Sequence, residues 1–246
     1  MGKNIIPQAR GKGGPRYTAP SFNYAGDTSL RPTQQLTQHQ TGQIGGQING
    51  QIMDLVHSAG HSAPLMKVQY SDGVSSLLPA PEGVKVGDKV FAGEGAEQTP
   101  GSILSLKEIP EGSQVYNVEL RPGDGGVFCK TSGTTAKILS KTAEGVMILL
   151  PSKKTKILHE NCRACIGIIA GSGRKEKPFA KAGNMYFAKK ARNKLYPRSS
   201  ACKMNAVDHP FGNKRSARKA KQRPVSRHAP PGRKVGKLAA RRTGRK

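Results

Sequence analysis

Residues 135–159 read TAKILSKTAEGVMILLPSKKTKILH. The apolar residues fall in three short runs, 135–140, 146–150 and 155–159. Ala143-Glu144-Gly145 separates the first two, and Pro151-Ser152-Lys153-Lys154 separates the last two. Short runs broken by Gly- and Pro-bearing turns are the mark of antiparallel strands, and no helical period runs across them. Working upstream, residues 114–120 put Tyr116, Val118 and Leu120 on one face and Val115, Asn117 and Glu119 on the other, as a strand does. Gly123-Asp124-Gly125-Gly126 turns the chain into a further run at 127–130, and residues 166–170 close the series downstream. From about residue 100 to 170 this predicts a compact antiparallel barrel of the SH3-like kind, with nothing to suggest a βαβ unit.

The same rhythm continues toward the N-terminus. Runs at 51–57, 63–70 and 74–78 are punctuated by 58–62 and by Ser71-Asp72-Gly73, a strong hairpin signal. Val84, Val86 and Val90 follow around Gly87-Asp88. These predict a second small barrel before the first. Residues 34–51, rich in Gln and Gly, read as a linker running into its first strand.

Outside the strands the chemistry changes. The chain of 246 residues carries 41 Lys and Arg against 15 Asp and Glu, a formal charge of +26. Residues 35–170 carry twelve of each sign, residues 1–34 carry +4, and residues 171–246 carry +22. Only 12 of the last 76 residues are Val, Ile, Leu, Phe, Met or Tyr, too few for a core of their own. Pro178, Pro197, Pro210, Pro224, Pro230 and Pro231 exclude long helices there, leaving one short basic helix at 234–242. The expectation is a neutral body with a basic extension at each end, each awaiting a polyanion. In the first extension Tyr17, Phe22 and Tyr24 interleave with Arg10, Lys12 and Arg16, which suits an extended strand lying on RNA. A self-contained enzyme is disfavoured by this balance.

No apolar run with a cleavage site opens the chain, and no stretch approaches the length of a membrane span, so a cytosolic protein without membrane contact is expected. The four cysteines then read as reduced thiols. His159, Cys162 and Cys165 offer three soft ligands where zinc takes four. If Cys162 and Cys165 share a strand, their odd spacing sends them to opposite faces, so no metal is expected. Residues 123–131 end in Lys130-Thr131 but lack the glycine and the strand-to-helix context of a phosphate-binding loop. Asp208-His209 are neighbours and poorly disposed to act as a catalytic pair. His209, in a loop shaped by Pro210 and Gly212, is better suited to donate to a phosphate or a ribose hydroxyl.

Met204-Asn205-Ala206-Val207-Asp208-His209-Pro210-Phe211-Gly212 resembles the signature of the universal large-subunit ribosomal protein L-two family, in its archaeal or eukaryotic form. The resemblance runs along nearly the whole chain. It takes in Gly11-Lys12-Gly13, His57 to Leu65, Ala80-Pro81-Glu82-Gly83, Ile109-Pro110-Glu111-Gly112, Asn161-Cys162-Arg163-Ala164, Ala170-Gly171-Ser172-Gly173-Arg174 and Ala229-Pro230-Pro231-Gly232-Arg233-Lys234. It departs where Asn213-Lys214-Arg215 replaces the usual glycines, where Ser200-Ala201 replaces Arg-Gly, and where His61 replaces Arg. The family implies an all-β fold in which an OB-fold barrel at 35–96 precedes an SH3-like barrel at 97–170, with long basic extensions at 1–34 and 171–246. It implies binding to large-subunit rRNA, contact with other large-subunit proteins and with the small subunit, and a C-terminal loop near the peptidyl transferase centre. His209 stands where the family carries a histidine once proposed as catalytic.

The expected function is therefore that of a structural protein of the large ribosomal subunit, with no cofactor and no catalytic residue. RNA contact is expected at Arg10, Lys12, Arg16, Arg163, Arg174, Lys175, Lys181, Lys189, Lys190, Arg198, His209, Lys214, Arg215, Arg233, Lys234, Arg241 and Arg242. A free translation factor with the same barrels would fit 35–170, and a metal-dependent nucleic-acid enzyme would need zinc at His159, Cys162 and Cys165. The +22 extension speaks against the former and the ligand spacing against the latter.

Overall fold

The computed structural model describes residues 2–18, 21, 23–32, 47–213 and 224–240. The chain divides into two compact units, one of residues 21–178 and one of residues 1–20 together with 179–246.

The first unit is all β. Its strands are β1 (Ile48–Val56), β2 (Leu65–Tyr70), β3 (Ser75–Pro79), β4 (Lys89–Ala92), β5 (Ile103–Ser105), β6 (Gln114–Tyr116), β7 (Ala136–Thr142), β8 (Gly145–Leu149), β9 (Thr155–Leu158) and β10 (Arg163–Ile166). They form one hydrogen-bonded order, β3-β2-β1-β4-β5-β10-β6-β7-β8-β9. All neighbours are antiparallel except β4 and β5, which meet in parallel at the single pair Ala92 and Ile103. Two hydrophobic cores lie in this unit, and β5, β6 and β10 contribute to both. One gathers Ile52, Met66, Val68, Leu78 and Val90 with Leu30, and Tyr116 of β6, Cys165 of β10 and Ile169 beyond it complete the cluster. The other gathers Leu104, Leu106, Ile109, Val115, Ile138, Ile148 and Leu158. Bulges between Ile52 and Asp54 in β1 and between Ile138 and Ser140 in β7 bend the two longest strands over these cores.

The turns follow local chemistry. At Ser71-Asp72-Gly73 the Asp72 carboxylate accepts the Val74 amide and Gly73 takes φ +82°, so the expected hairpin forms. Gly145 starts β8 at φ +139°, and a Cβ there would stand 2.3 Å from the Leu158 carbonyl oxygen. Only glycine lets β9 approach that closely.

Several strand expectations need correction. The run at 114–120 ends as a strand at Tyr116, because Asn117 turns to φ +49° and Glu119 is drawn inward to an ion pair. The run at 127–130 supplies an isolated bridge from Phe128 to Val118, and at 84–90 only β4 forms, leaving Val86 exposed. The closing strand lies at Arg163–Ile166 rather than at 166–170, and β5 was not foreseen. The boundary at residue 35 also moves. Thr28, Leu30 and Arg31 are buried, Leu30 within the first core, so the folded body reaches back into the first basic extension. We therefore expect a fragment of residues 21–178 to melt higher than one of residues 35–170. Loss of a buried leucine alone costs about 2–5 kcal/mol, or roughly 5–15 °C in a unit of this size. Equal melting temperatures by circular dichroism would contradict the packing of Leu30.

Among its described residues the second unit holds two α-helices, α1 (Ile6–Gly11) and α2 (Ala182–Lys190), and short 3-10 turns at Pro15–Tyr17 and Ala201–Lys203. The first extension is therefore not an extended strand. Pro7 sits in the opening turn of α1 and the Gln8 side chain accepts the Ile5 amide at 3.1 Å, which favours a helix start. Residues 234–240 are not helical, and residues 241 and 242 lie outside the described residues, as do 33–46 of the Gln-rich segment. Among the described residues no helix is long and apolar enough to cross a membrane.

Candidate nucleic-acid interface

Charge and fold divide along the same line. The unit of residues 1–20 and 179–246 contains 25 of the 41 basic residues and one of the 15 acidic ones, so it carries +24 of the +26. The β unit, at +2, is close to neutral.

The two extensions are not independent. The Lys3 amide donates to the Val207 carbonyl at 2.9 Å, and Arg10 Nη2 donates to the Asn193 carbonyl at 2.8 Å. A Cβ on Gly232 would come within 3.0 Å of the Gln8 side chain. Three separate stretches of the C-terminal extension thus border the N-terminal one. The joining bonds run to backbone carbonyls, which lets a highly basic segment pack on itself without acidic partners.

Helix α2 presents its charge at its end. Lys189 and Lys190 stand in its last turn, where the helix dipole favours cations. None of its residues is buried, and Tyr186 and Phe187 are exposed. Lys190 Nζ lies 5.9 Å from the Tyr186 ring centroid. These rings were not among the expected RNA contacts, although Tyr186-Phe187 directly precedes Ala188-Lys189-Lys190 in the sequence. Interleaved rings and cations were the available signal.

The His209 loop is tightly closed. The Asn213 amide donates to the Met204 carbonyl at 2.8 Å, and the Asp208 and His209 amides both donate to the Asn205 carbonyl. A Cβ on Gly212 would stand 2.2 Å from the Asn205 oxygen, so the crossing requires glycine. His209 Nδ1 accepts the Phe211 amide at 3.1 Å, and the two rings lie 5.4 Å apart. Burial lowers the His209 pKa from its ordinary value, so the ring is neutral and keeps its remaining proton on Nε2. With Nδ1 acting as an acceptor, no Nδ1–H remains for Asp208 to orient as in a catalytic triad.

The other expected contacts fall into three groups. Lys12, Lys175, Lys181, Arg198, Arg233 and Lys234 are exposed, whereas Arg174 donates from Nε to the Ser132 hydroxyl at 2.7 Å. Arg163 is engaged within the protein. It is a structural cation, donating to the Glu119 carboxylate at 2.6 Å from Nη2 and to the Arg31 carbonyl at 2.7 Å from Nη1. Glu119 is fully buried and also accepts the Arg163 and Gly125 amides. Arg31 carries the network on to Asp72. Lys214, Arg215, Arg241 and Arg242, and the side chain of Arg16, lie outside the described residues.

His159, Cys162 and Cys165 do not converge. Cys162, just before β10, lies in the second core, and Cys165, within β10, lies in the first. Burial pushes the Cys165 thiol up to about 12 and the Cys162 thiol to about 11, so both rest as neutral thiols. Among the described residues no group of three or more His, Cys, Asp or Glu side chains could hold a metal ion. The residue pattern of a phosphate-binding loop also resolves into structure, since Lys130 donates to the Thr28 and Gly126 carbonyls.

Comparison with known proteins bears on the whole chain. A family model described as Ribosomal Proteins L2, C-terminal domain, matches residues 99–229. The large ribosomal subunit protein uL2 of Methanocaldococcus jannaschii is 48% identical over 245 residues, covering 99% of each chain. That of Halorubrum lacusprofundi is 45% identical over 100% of this chain and 98% of its own, and that of Archaeoglobus fulgidus is 44% identical over 99% of each. Identity at this level from end to end takes in the β unit, both extensions and the His209 loop alike, and the chain belongs to the ribosomal protein L2 family.

Proposed function

We infer that the chain is a structural constituent of the large ribosomal subunit, cytoplasmic with it, that binds large-subunit rRNA and performs no catalytic step. The observation that carries this reading is the separation of charge, +24 in one unit and +2 in the other. A density of cations this high, with one acidic residue to offset it, is relieved by phosphates, and releasing their counterions drives association. We assign phosphate contact to Lys12, Lys175, Lys181, Lys189, Lys190, Arg198, Arg233 and Lys234, with Arg10 and Arg174 holding their segments in register as well. Arg16, Lys214, Arg215, Arg241 and Arg242 belong to the same basic runs. The β unit with its two cores supports an OB-fold barrel followed by an SH3-like barrel, the first core being completed by Leu30 from upstream and by Tyr116, Cys165 and Ile169 from downstream. Further partners on this reading are other large-subunit proteins and the small subunit.

Sedimentation tests the assignment. The full chain should remain with large subunits through a high-salt sucrose gradient, whereas a free translation factor would wash away. Recovery of the chain only in the soluble fraction would contradict the reading.

His209 then holds its loop on RNA by donating from Nε2 to a phosphate or ribose oxygen. A general base contributes about 10²–10⁴-fold to a rate. We expect His209→Gln to leave single-turnover peptide-bond formation on assembled ribosomes within a few-fold, with the defect appearing in assembly or subunit joining. A loss of about a hundred-fold in fully assembled particles would contradict this.

A further inference from the structure

Tyr17, Tyr186 and Tyr196 converge in the basic unit. With Thr18, Lys190, Asn193, Lys194, Leu195 and Pro197 they line a cavity of about 150 Å³. The local backbone builds it in advance. A turn of 3-10 helix at Pro15–Tyr17 presents Tyr17, fixed by the Tyr17 amide donating to the Gly14 carbonyl at 2.8 Å. The Thr18 hydroxyl donates back to the Gly13 and Gly14 carbonyls at 3.1 Å. On the other side, Asn193 takes φ +51° and the Lys194 amide donates to the Lys189 carbonyl at 2.8 Å. This turns the chain after α2 so that residues 194–197 border the same cavity as Tyr186. Arg10, bonded to the Asn193 carbonyl, ties the N-terminal segment to that turn.

The lining is amphipathic in one particular way. Three phenol rings supply flat apolar walls, Asn193 supplies an amide with both donor and acceptor atoms, and Lys190 and Lys194 supply positive charge. Lys190 stands one helical turn beyond Tyr186, and its ammonium lies over that ring, 5.9 Å from the centroid. Cavities of about this volume admit a single aromatic ring. Rings for stacking, an amide for a base edge and cations for the adjoining phosphate are the requirements of an unstacked nucleotide.

We propose that this cavity receives the base of one unpaired pyrimidine nucleotide of RNA, stacked against Tyr186 and Tyr196, with its phosphates held by Lys190 and Lys194. The proposal rests on the rRNA-binding reading and adds to it a contact that recognises a base rather than charge. It separates two kinds of contact in the basic unit. Most cations would hold any strand, whereas this one fixes where along the strand the unit stops.

The test uses the full chain and two RNA probes of equal length and charge, an oligouridylate and the same backbone without bases. At fixed salt the oligouridylate should bind about 10-fold more tightly, a factor at the low end for one stacked base. Tyr186→Ala and Tyr196→Ala should each remove most of that difference, Tyr186→Phe should keep it, and the salt dependence should be the same for all. Equal affinity for the two probes would overturn the base pocket and leave the rRNA reading standing, as would a preference that survives both alanine variants. Failure of both probes to bind would overturn both readings.

Discussion

In the fragment of residues 21–178, Glu119→Ala should lower the melting temperature by about 10 °C. The Glu119 carboxylate is fully buried and accepts the Arg163 guanidinium and two backbone amides, while the Arg163 side chain is only 18% exposed. Removing the carboxylate leaves a half-desolvated cation facing two unpaired amides, which costs about 3–5 kcal/mol. Arg163→Met should cost a similar amount, because it strands the buried carboxylate instead. The double variant Glu119→Leu with Arg163→Met should be milder than the sum of the two, since neither charge is then left alone. Additive losses in urea melts would mean that the two residues act separately.

That ion pair explains much of what the sequence conceals. Glu119 and Arg163 are far apart in the chain, and their meeting pulls residues 117–119 out of the strand that their alternation suggests. Alternation reports on a local period, and a distant charge overrides it without leaving a local mark. Where structure depends on neighbours in sequence, the reading holds. The Ser71-Asp72-Gly73 hairpin follows from one carboxylate and one positive φ, and β7, β8 and β9 follow from runs bounded by Gly145 and Pro151-Ser152. The three residues of β5 are too few to show any period.

The basic extensions were legible as charge and illegible as structure. Helix α2 buries no residue, so it has no apolar stripe to betray it, and its closing lysines suggest solvation rather than a helix end. The meeting of the two extensions leaves no pattern, because Val207 and Asn193 contribute carbonyl oxygens that every residue has. The His209 loop lies between these cases. Its signature residues were plain, but the role of Gly212 emerges only when the crossing over Asn205 is seen.

The largest loss of affinity should follow removal of residues 179–246, which takes away +20 of the charge and leaves +6. Removing residues 1–20 takes away +4 and leaves +22, without touching Leu30 or Arg31 in the β unit. A protein that neutralises six to ten phosphates loses roughly 10³–10⁵-fold in affinity between 50 and 200 mM salt. The decisive measurement is the slope of log affinity for large-subunit rRNA against log salt for the full chain and these two truncations. The account predicts a steep slope for the full chain, a slightly shallower one without residues 1–20, and a much shallower one without residues 179–246. Equal slopes for the two truncations would contradict it, because the charge gathered in the C-terminal extension would then not be what holds the RNA.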